Sequence, residues 1–255
     1  MNNVIHTRPL LDRSLWLTEE DASALAQGTH RDPFAILGIH SDGKGQFLRV
    51  FLPGAVGVDV LDRDGGSVRC CLTGMQIPGL FAARLPHAAP YLLRIRWPQG
   101  EQLTEDPYSF GLLLGEMDLY LLGEGNHRQL GHCLGAQPMT IDGVNGVRFA
   151  VWAPNAQRVS VVGNFNSWDG RRHIMRLRIA AGVWELFVPR LGPGEAYKYE
   201  VVEAHGAIGL RADPVALATE APPSTASVVA DTTPFTWHDD AWIAQRQNIH
   251  APTHP

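Results

Sequence analysis

Cysteine is scarce: three occur in 255 residues, Cys70 beside Cys71 and Cys133 alone, so a disulfide framework is excluded. His127, His132 and Cys133 form a tight group, but no CxxC or HxxxH goes with it, and a metal site is not expected. No apolar run approaches the roughly eighteen residues that a membrane helix needs. The opening Met1-Asn-Asn-Val-Ile-His-Thr-Arg-Pro lacks the basic start and apolar stretch of a secretion signal, so the expected location is the cytoplasm. Basic excess is missing as well. The net charge is −5 with both signs interspersed, which argues against nucleic acid as a partner. G-x-S-x-G, H-E-x-x-H, G-x-G-x-x-G and the P-loop are all absent, and with them the commonest nucleophile, metalloprotease and nucleotide sites.

What is present is one pattern written twice, about a hundred residues apart. Gly45-Gln-Phe-Leu-Arg-Val-Phe-Leu-Pro53-Gly-Ala55-Val-Gly-Val58-Asp-Val60 matches Gly146-Val-Arg-Phe-Ala-Val-Trp-Ala-Pro154-Asn-Ala156-Gln-Arg-Val159-Ser-Val161. The register continues from Pro86 to Pro189 and from Asp106-Pro107 to Asp213-Pro214, with the small drift that loop insertions give. Two domains of one kind are expected.

Short β-rich runs bounded by Pro and Gly fill both copies: Phe47 to Leu52, Val56 to Leu61, Val68 to Leu72, Phe81 to Leu85 and Tyr91 to Trp97, then Val147 to Trp152, Arg158 to Gly163, Met175 to Ile179, Val183 to Pro189 and Ala196 to Glu203. That rhythm predicts an all-β fold, two tandem immunoglobulin-like β-sandwiches, rather than helices alternating with parallel strands. A capping box at Thr18-Glu-Glu-Asp21 and a stop at Gly28 predict one leading helix. Leu112 to Leu122 predicts a connecting helix packed between the domains, and Trp237 to Gln247 a short one near the end. The expected division is 1–111 for the first sandwich with its leading helix, 112–135 for the connector, 136–235 for the second sandwich and 236–255 for a linker.

Only the second copy carries Gly163-Asn-Phe-Asn-Ser-Trp168-Asp-Gly170, which sets an indole in a polar turn. An open indole suits the C–H face of a sugar, with Asn164, Asn166 and Lys198 supplying amide and ammonium partners for hydroxyls; burial of Trp168 against a neighbouring domain is the competing reading. Arg171-Arg172-His173 beside it could meet an anion or dock on another domain. Gly209-Leu-Arg-Ala-Asp213 has the form of the nucleophile segment of retaining glucosidases, yet Asp213-Pro214 stands where Asp106-Pro107 closes the first copy. A turn-shaping role is therefore expected for Asp213, and no second placed carboxylate accompanies it.

These residues closely resemble the amino-terminal region of bacterial 1,4-α-glucan (glycogen) branching enzymes, glycoside hydrolase family 13. The resemblance rests on Asp32-Pro-Phe-Ala-Ile-Leu-Gly38, Asp106-Pro-Tyr-Ser-Phe-Gly111, Arg148-Phe-Ala-Val-Trp-Ala-Pro-Asn-Ala156, Gly163 to His173, Trp184-Glu-Leu-Phe187 and Tyr197-Lys-Tyr-Glu200. It implies two β-sandwich modules, the second a family 48 carbohydrate-binding module, ahead of a catalytic barrel that lies beyond Pro255. Glucan binding at Trp168 and Lys198, no catalytic residue in this chain, no cofactor, and the barrel as a partner follow from the same resemblance. A second tryptophan would be expected just after His205-Gly206, where Ala207 and Ile208 stand. The alternative it leaves is a module that docks on the catalytic domain and sets chain-length preference without binding glucan.

Overall fold

A computed structural model describes residues 12–87, 89–232 and 236–249. The first module opens with helix α1 (Glu19–Gln27), whose N-cap Thr18 accepts from the Asp21 amide and whose C-cap Gly28 is left-handed, as the capping signals predict. Seven antiparallel strands follow: β1 (Gly38–Asp42), β2 (Gly45–Phe51), β3 (Gly57–Asp62), β4 (Val68–Gly74), β5 (Leu80–Arg84), β6 (Tyr91–Trp97) and β7 (Gly100–Thr104). They run in the order β1-β2-β5-β4-β3-β6-β7. The sheet folds over at β4, which pairs along β3 and passes to β5 only at Thr73 and Gly74. Leu48, Val50, Val58, Val60, Leu93 and Ile95 meet in the core between the halves.

Strand β2 is buried on both faces, because the alternate residues Phe47 and Phe51 turn outward and are covered by the amino-terminal segment. Leu25 of α1 packs on Phe51 and Leu80, while Leu15 packs on Phe47 and Ala82. A strand sealed on both sides reads as a nearly continuous apolar run, and that is what Phe47 to Leu52 shows.

The connector enters next, with helices α2 (Glu116–Gly123) and α3 (Leu130–Cys133). The predicted helix over Leu112 to Leu122 starts four residues late. The amides of Leu113 and Leu114 donate to the buried Glu185 carboxylate instead of opening a helical turn, and Gly115 becomes the N-cap. The connector is also not lodged between the modules. Leu114, Leu119, Cys133 and Leu134 pack on Ala150 and Val183, on the outer face of the second module.

That module contains β8 (Gly135–Ile141), β9 (Val144–Trp152), β10 (Arg158–Gly163), β11 (Arg176–Arg178), β12 (Val183–Pro189), β13 (Ala196–Val202), β14 (Ile208–Arg211), β15 (Ala218–Thr219) and β16 (Ser227–Val228), followed by helix α4 (Asp240–Ile249). One sheet runs β11-β12-β9-β8 and the other β10-β13-β16-β15, with β14 on β13. Between them lie Val147, Phe149, Val161, Trp184, Leu186, Tyr197 and Tyr199. The chain is thus two tandem immunoglobulin-like β-sandwiches with short helices, and each is sealed on an outer face by the helical segment that precedes it.

The duplication is visible atom by atom. The Leu52 amide donates to the Gly79 carbonyl and the Ala153 amide to the Gly182 carbonyl, which ties each Pro segment to a left-handed glycine. At the far end the Tyr91 hydroxyl donates to Asp106 (2.8 Å) and the Tyr197 hydroxyl to Asp213 (2.6 Å). In both, the other carboxylate oxygen accepts from the amide two residues on, Tyr108 or Val215. Asp213 is therefore a buried turn former, as its place in the repeat predicts. Among the described residues no helix is long and apolar enough to cross a membrane.

Candidate functional site

Strand β10 ends at Gly163, where the backbone must pass close to the Ala196 carbonyl and the Phe165 ring, so there is no space for a Cβ. A single 3₁₀ turn over Asn164–Asn166 follows, and then Ser167 and Trp168 both adopt left-handed backbone, at φ 58° and 59°. Two successive non-glycine residues in that region cost about 1–2 kcal/mol each. The strain is held by the Trp168 amide on the Gly163 carbonyl (2.9 Å) and by the indole Nε1–H on Asn164 Oδ1 (2.9 Å). The indole is thereby fixed at the surface with 37% of the residue exposed.

Asn166 requires a correction. Expected to face a sugar, it is 1% exposed. Its Oδ1 accepts from the Gly163 amide, and its Nδ2 reaches the Val161 carbonyl and His173 Nδ1. All its polar atoms serve the turn, so it shapes the site from beneath. Asn164 stays at the surface and orients the indole. Lys198 stands opposite Val162, one step from the Gly163 that anchors Trp168, and its Nζ donates to Thr225 Oγ1 (2.6 Å). Ala207 and Ile208, where a second tryptophan would stand, form the exposed tip and start of the β13–β14 hairpin.

In the basic triplet Arg172 turns to the first module, while Arg171 and His173 make their polar and ring contacts within their own turn. Arg171 pairs with Asp169 in its own turn and its aliphatic stem lies against Gly28. Arg172 donates to the Pro53 carbonyl (2.6 Å) and stacks its guanidinium 4.4 Å from the Trp97 ring. His173 is partly buried, packed edge-on to Phe165. The same contact continues through Arg176 over Phe34 (3.6 Å), the Ile174 amide on the Tyr108 hydroxyl and the Arg190 pair with Glu105. A small cavity of about 70 Å³ remains at its centre, lined by Tyr108, Phe165, His173 and Val188.

Burial pushes the His173 imidazole down to about 4, with Arg172 adding to it. Burial lifts the nearby Asp106 carboxyl to about 6 despite the hydrogen bonds from Tyr108 and Tyr91. The depressed histidine contributes stability that is complete above its unfolded value of 6.5 and lost as pH falls toward 4. The raised aspartate acts in the opposite sense between 3.8 and 6, because there the folded state binds the proton more tightly. His173→Gln removes the first contribution alone, so the variant should lose about 2 kcal/mol less than the parent between pH 7 and pH 4.5, read from urea unfolding at both pH values. Equal losses would show that the imidazole titrates freely.

The charged support of the Trp turn escaped the sequence reading. Arg158, 1% exposed, donates to Ser160 Oγ (2.6 Å), the Gly170 carbonyl (2.7 Å) and the Glu200 carboxylate. The signal was available: alternation in Tyr197-Lys-Tyr-Glu200 puts Glu200 on the Lys198 face, across from Ser160. Among the described residues no group of three or more His, Cys, Asp or Glu is placed to hold a metal ion. His127 bonds Asp118 (3.0 Å) and shapes the connector.

Two families match in tandem. Residues 18–108 match the amino-terminal domain of alpha-1,4-glucan branching enzyme GlgB, and residues 133–216 match carbohydrate-binding module 48, the isoamylase N-terminal domain. The chain carries the amino-terminal modules of the branching-enzyme family. Among curated relatives, the 1,4-alpha-glucan branching enzyme of Pseudomonas fluorescens Pf-5 is 62% identical over 233 residues, which is 90% of this chain and 31% of that protein. Those of Pseudomonas syringae pv. syringae and Pseudomonas aeruginosa are 58% and 54% identical, over 92% and 94% of this chain and 32% and 33% of theirs. The chain thus spans about a third of the length of these branching enzymes. The Trp168 turn lies in the module 48 match, and the surface that receives Arg172 lies in the branching-enzyme amino-terminal match.

Proposed function

We propose that this chain is the non-catalytic front part of a 1,4-α-glucan branching enzyme, and that its second module holds an α-glucan chain at Trp168. In that role the whole enzyme moves α-1,4-linked glucan segments into α-1,6 branches, and this part keeps substrate near the barrel. The division into 1–111, 112–135, 136–235 and 236–255 is carried into the proposal, with glucan assigned to the third segment.

Trp168 carries the reading. A strained backbone and a side-chain hydrogen bond keep a large apolar ring at the surface, where hydrophobic burial would ordinarily remove it. Local strain of that kind gathers at ligand sites, and an exposed indole held by an amide suits the C–H face of a sugar. Trp168 supplies the stacking plane, Asn164 fixes its angle and Lys198 stands ready for hydroxyls once Thr225 yields. The docking alternative through Arg171, Arg172 and His173 has less support, because Arg172 is engaged by the first module and Arg171 and His173 are engaged within their own turn.

The chain should be retarded in native gels containing glycogen. Trp168→Ala should weaken retention about tenfold, by analogy with aromatic stacking of bases, and Lys198→Ala more modestly. Migration that ignores glycogen would sink the glucan assignment. Branching of amylose by this chain alone would overturn the non-catalytic one.

A further inference from the structure

Helix α2 lies on the second module through Leu119 and Leu122, but it is apolar on its other side as well. Met117 and Tyr120 are 69% and 63% exposed there. A helix with apolar residues on two opposite faces has one face left to cover. Ile179, in the turn between β11 and β12, is 85% exposed. Three shallow depressions adjoin it: one is shared with Leu112 and Tyr120, a second with Trp152, and a third with Phe34. Trp152 closes the strip at the end of β9, its side chain on the outer face, half exposed. Charged groups sit at its edge, with Glu116 paired to Arg178. Single exposed apolar residues are ordinary, whereas a contiguous strip with a polar rim marks an interface.

The occupant follows from length. In the Pseudomonas fluorescens relative the matched region is 31% of the protein, so most of a branching enzyme lies outside it and shares a chain with this face. Interfaces between domains of one chain cover about 600–1,500 Å². At the competing face, the turn at Arg171 to His173, the Arg172 guanidinium is spent on the first module and the Arg171 guanidinium on Asp169.

We propose that the strip of Leu112, Met117, Tyr120, Trp152 and Ile179 is the seat of the remaining part of the branching-enzyme polypeptide. The proposal rests on the reading of this chain as the front of such an enzyme, and not on glucan binding at Trp168.

Hydroxyl-radical footprinting tests it on the isolated chain and on a chimera in which this chain replaces the matching region of the Pseudomonas fluorescens enzyme. Met117, Tyr120 and Trp152 should react at least fivefold more slowly in the chimera, while Trp168 reacts equally in both. Ile179→Asp should leave the isolated chain's melting temperature unchanged and lower that of the chimera. A chimera that branches amylose yet leaves the strip fully reactive overturns the docking and spares the family reading. Protection already present in the isolated chain, with doubled mass in solution, overturns it in favour of a second copy. If the chimera does not fold, the intact Pseudomonas fluorescens enzyme is compared with its own matching fragment over the segments equivalent to 116–123 and 176–182. Protection there supports the seat, and equal reactivity overturns it.

Discussion

Glu200→Ala is expected to destabilise the second module by about 3–5 kcal/mol, because it leaves the enclosed Arg158 guanidinium without its counter-charge. Ser160 Oγ and the Gly170 carbonyl remain as partners, but neither neutralises a cation taken out of water. Arg158 Nε already has no partner, so the site has little reserve. The loss should reach the Trp turn, since Gly170 rests directly on the Glu200 carboxylate and Arg158 holds its carbonyl. Glu200→Gln keeps an acceptor in place and should recover part of the stability. Replacing both partners, as Arg158→Met with Glu200→Leu, should recover more, because no charge is then stranded. Urea unfolding of the four proteins decides this, and a loss under about 1 kcal/mol for Glu200→Ala would place the pair with weak surface bridges instead.

Gly79→Ala and Gly182→Ala should be comparably damaging, at about 3 kcal/mol each. Gly79 has φ 90° and Gly182 φ 65°, and an added Cβ would lie 2.7 Å from Pro53 Cα in the first module and 2.6 Å from Pro154 Cβ in the second. Left-handed backbone costs a residue with a Cβ about 1–2 kcal/mol, and forcing the proline segment aside adds about 1–3 kcal/mol. Gly66→Ala is the control: its φ is 65° but nothing lies within 4 Å of the new Cβ, so only the backbone cost, about 1 kcal/mol, should appear. Three melting curves suffice. Equal losses at all three positions would mean that the proline contact contributes nothing in either copy.

The parts of the fold that were legible in the sequence are those governed by near neighbours. Tyr91 to Trp97, Arg158 to Gly163 and Val183 to Pro189 begin and end where their alternation and flanking Gly or Pro residues place them. Strands β1, β7 and β8 were not legible. The first two are five-residue edge strands, β1 with a single large apolar residue and β7 mostly exposed, and β8 carries Pro138, so neither alternation nor propensity marks them. Their strand character comes from pairing with β2, β6 and β9.

The candidate site divides in the same way. The sequence by itself determined that there are two like modules, that Asp213 closes a repeat rather than attacks a substrate, and that only the second copy carries a tryptophan turn, because repetition and turn chemistry are written in consecutive residues. Tertiary structure alone decided that Asn166 faces inward, that Arg172, Arg176 and Arg190 hold the two modules together, that the connector belongs to the second sandwich and that Arg158 with Glu200 underlies the turn. Each of those outcomes depends on which distant carbonyl, ring or carboxylate stands opposite a side chain. Burial and charge pairing are properties of that encounter, which a linear pattern does not contain.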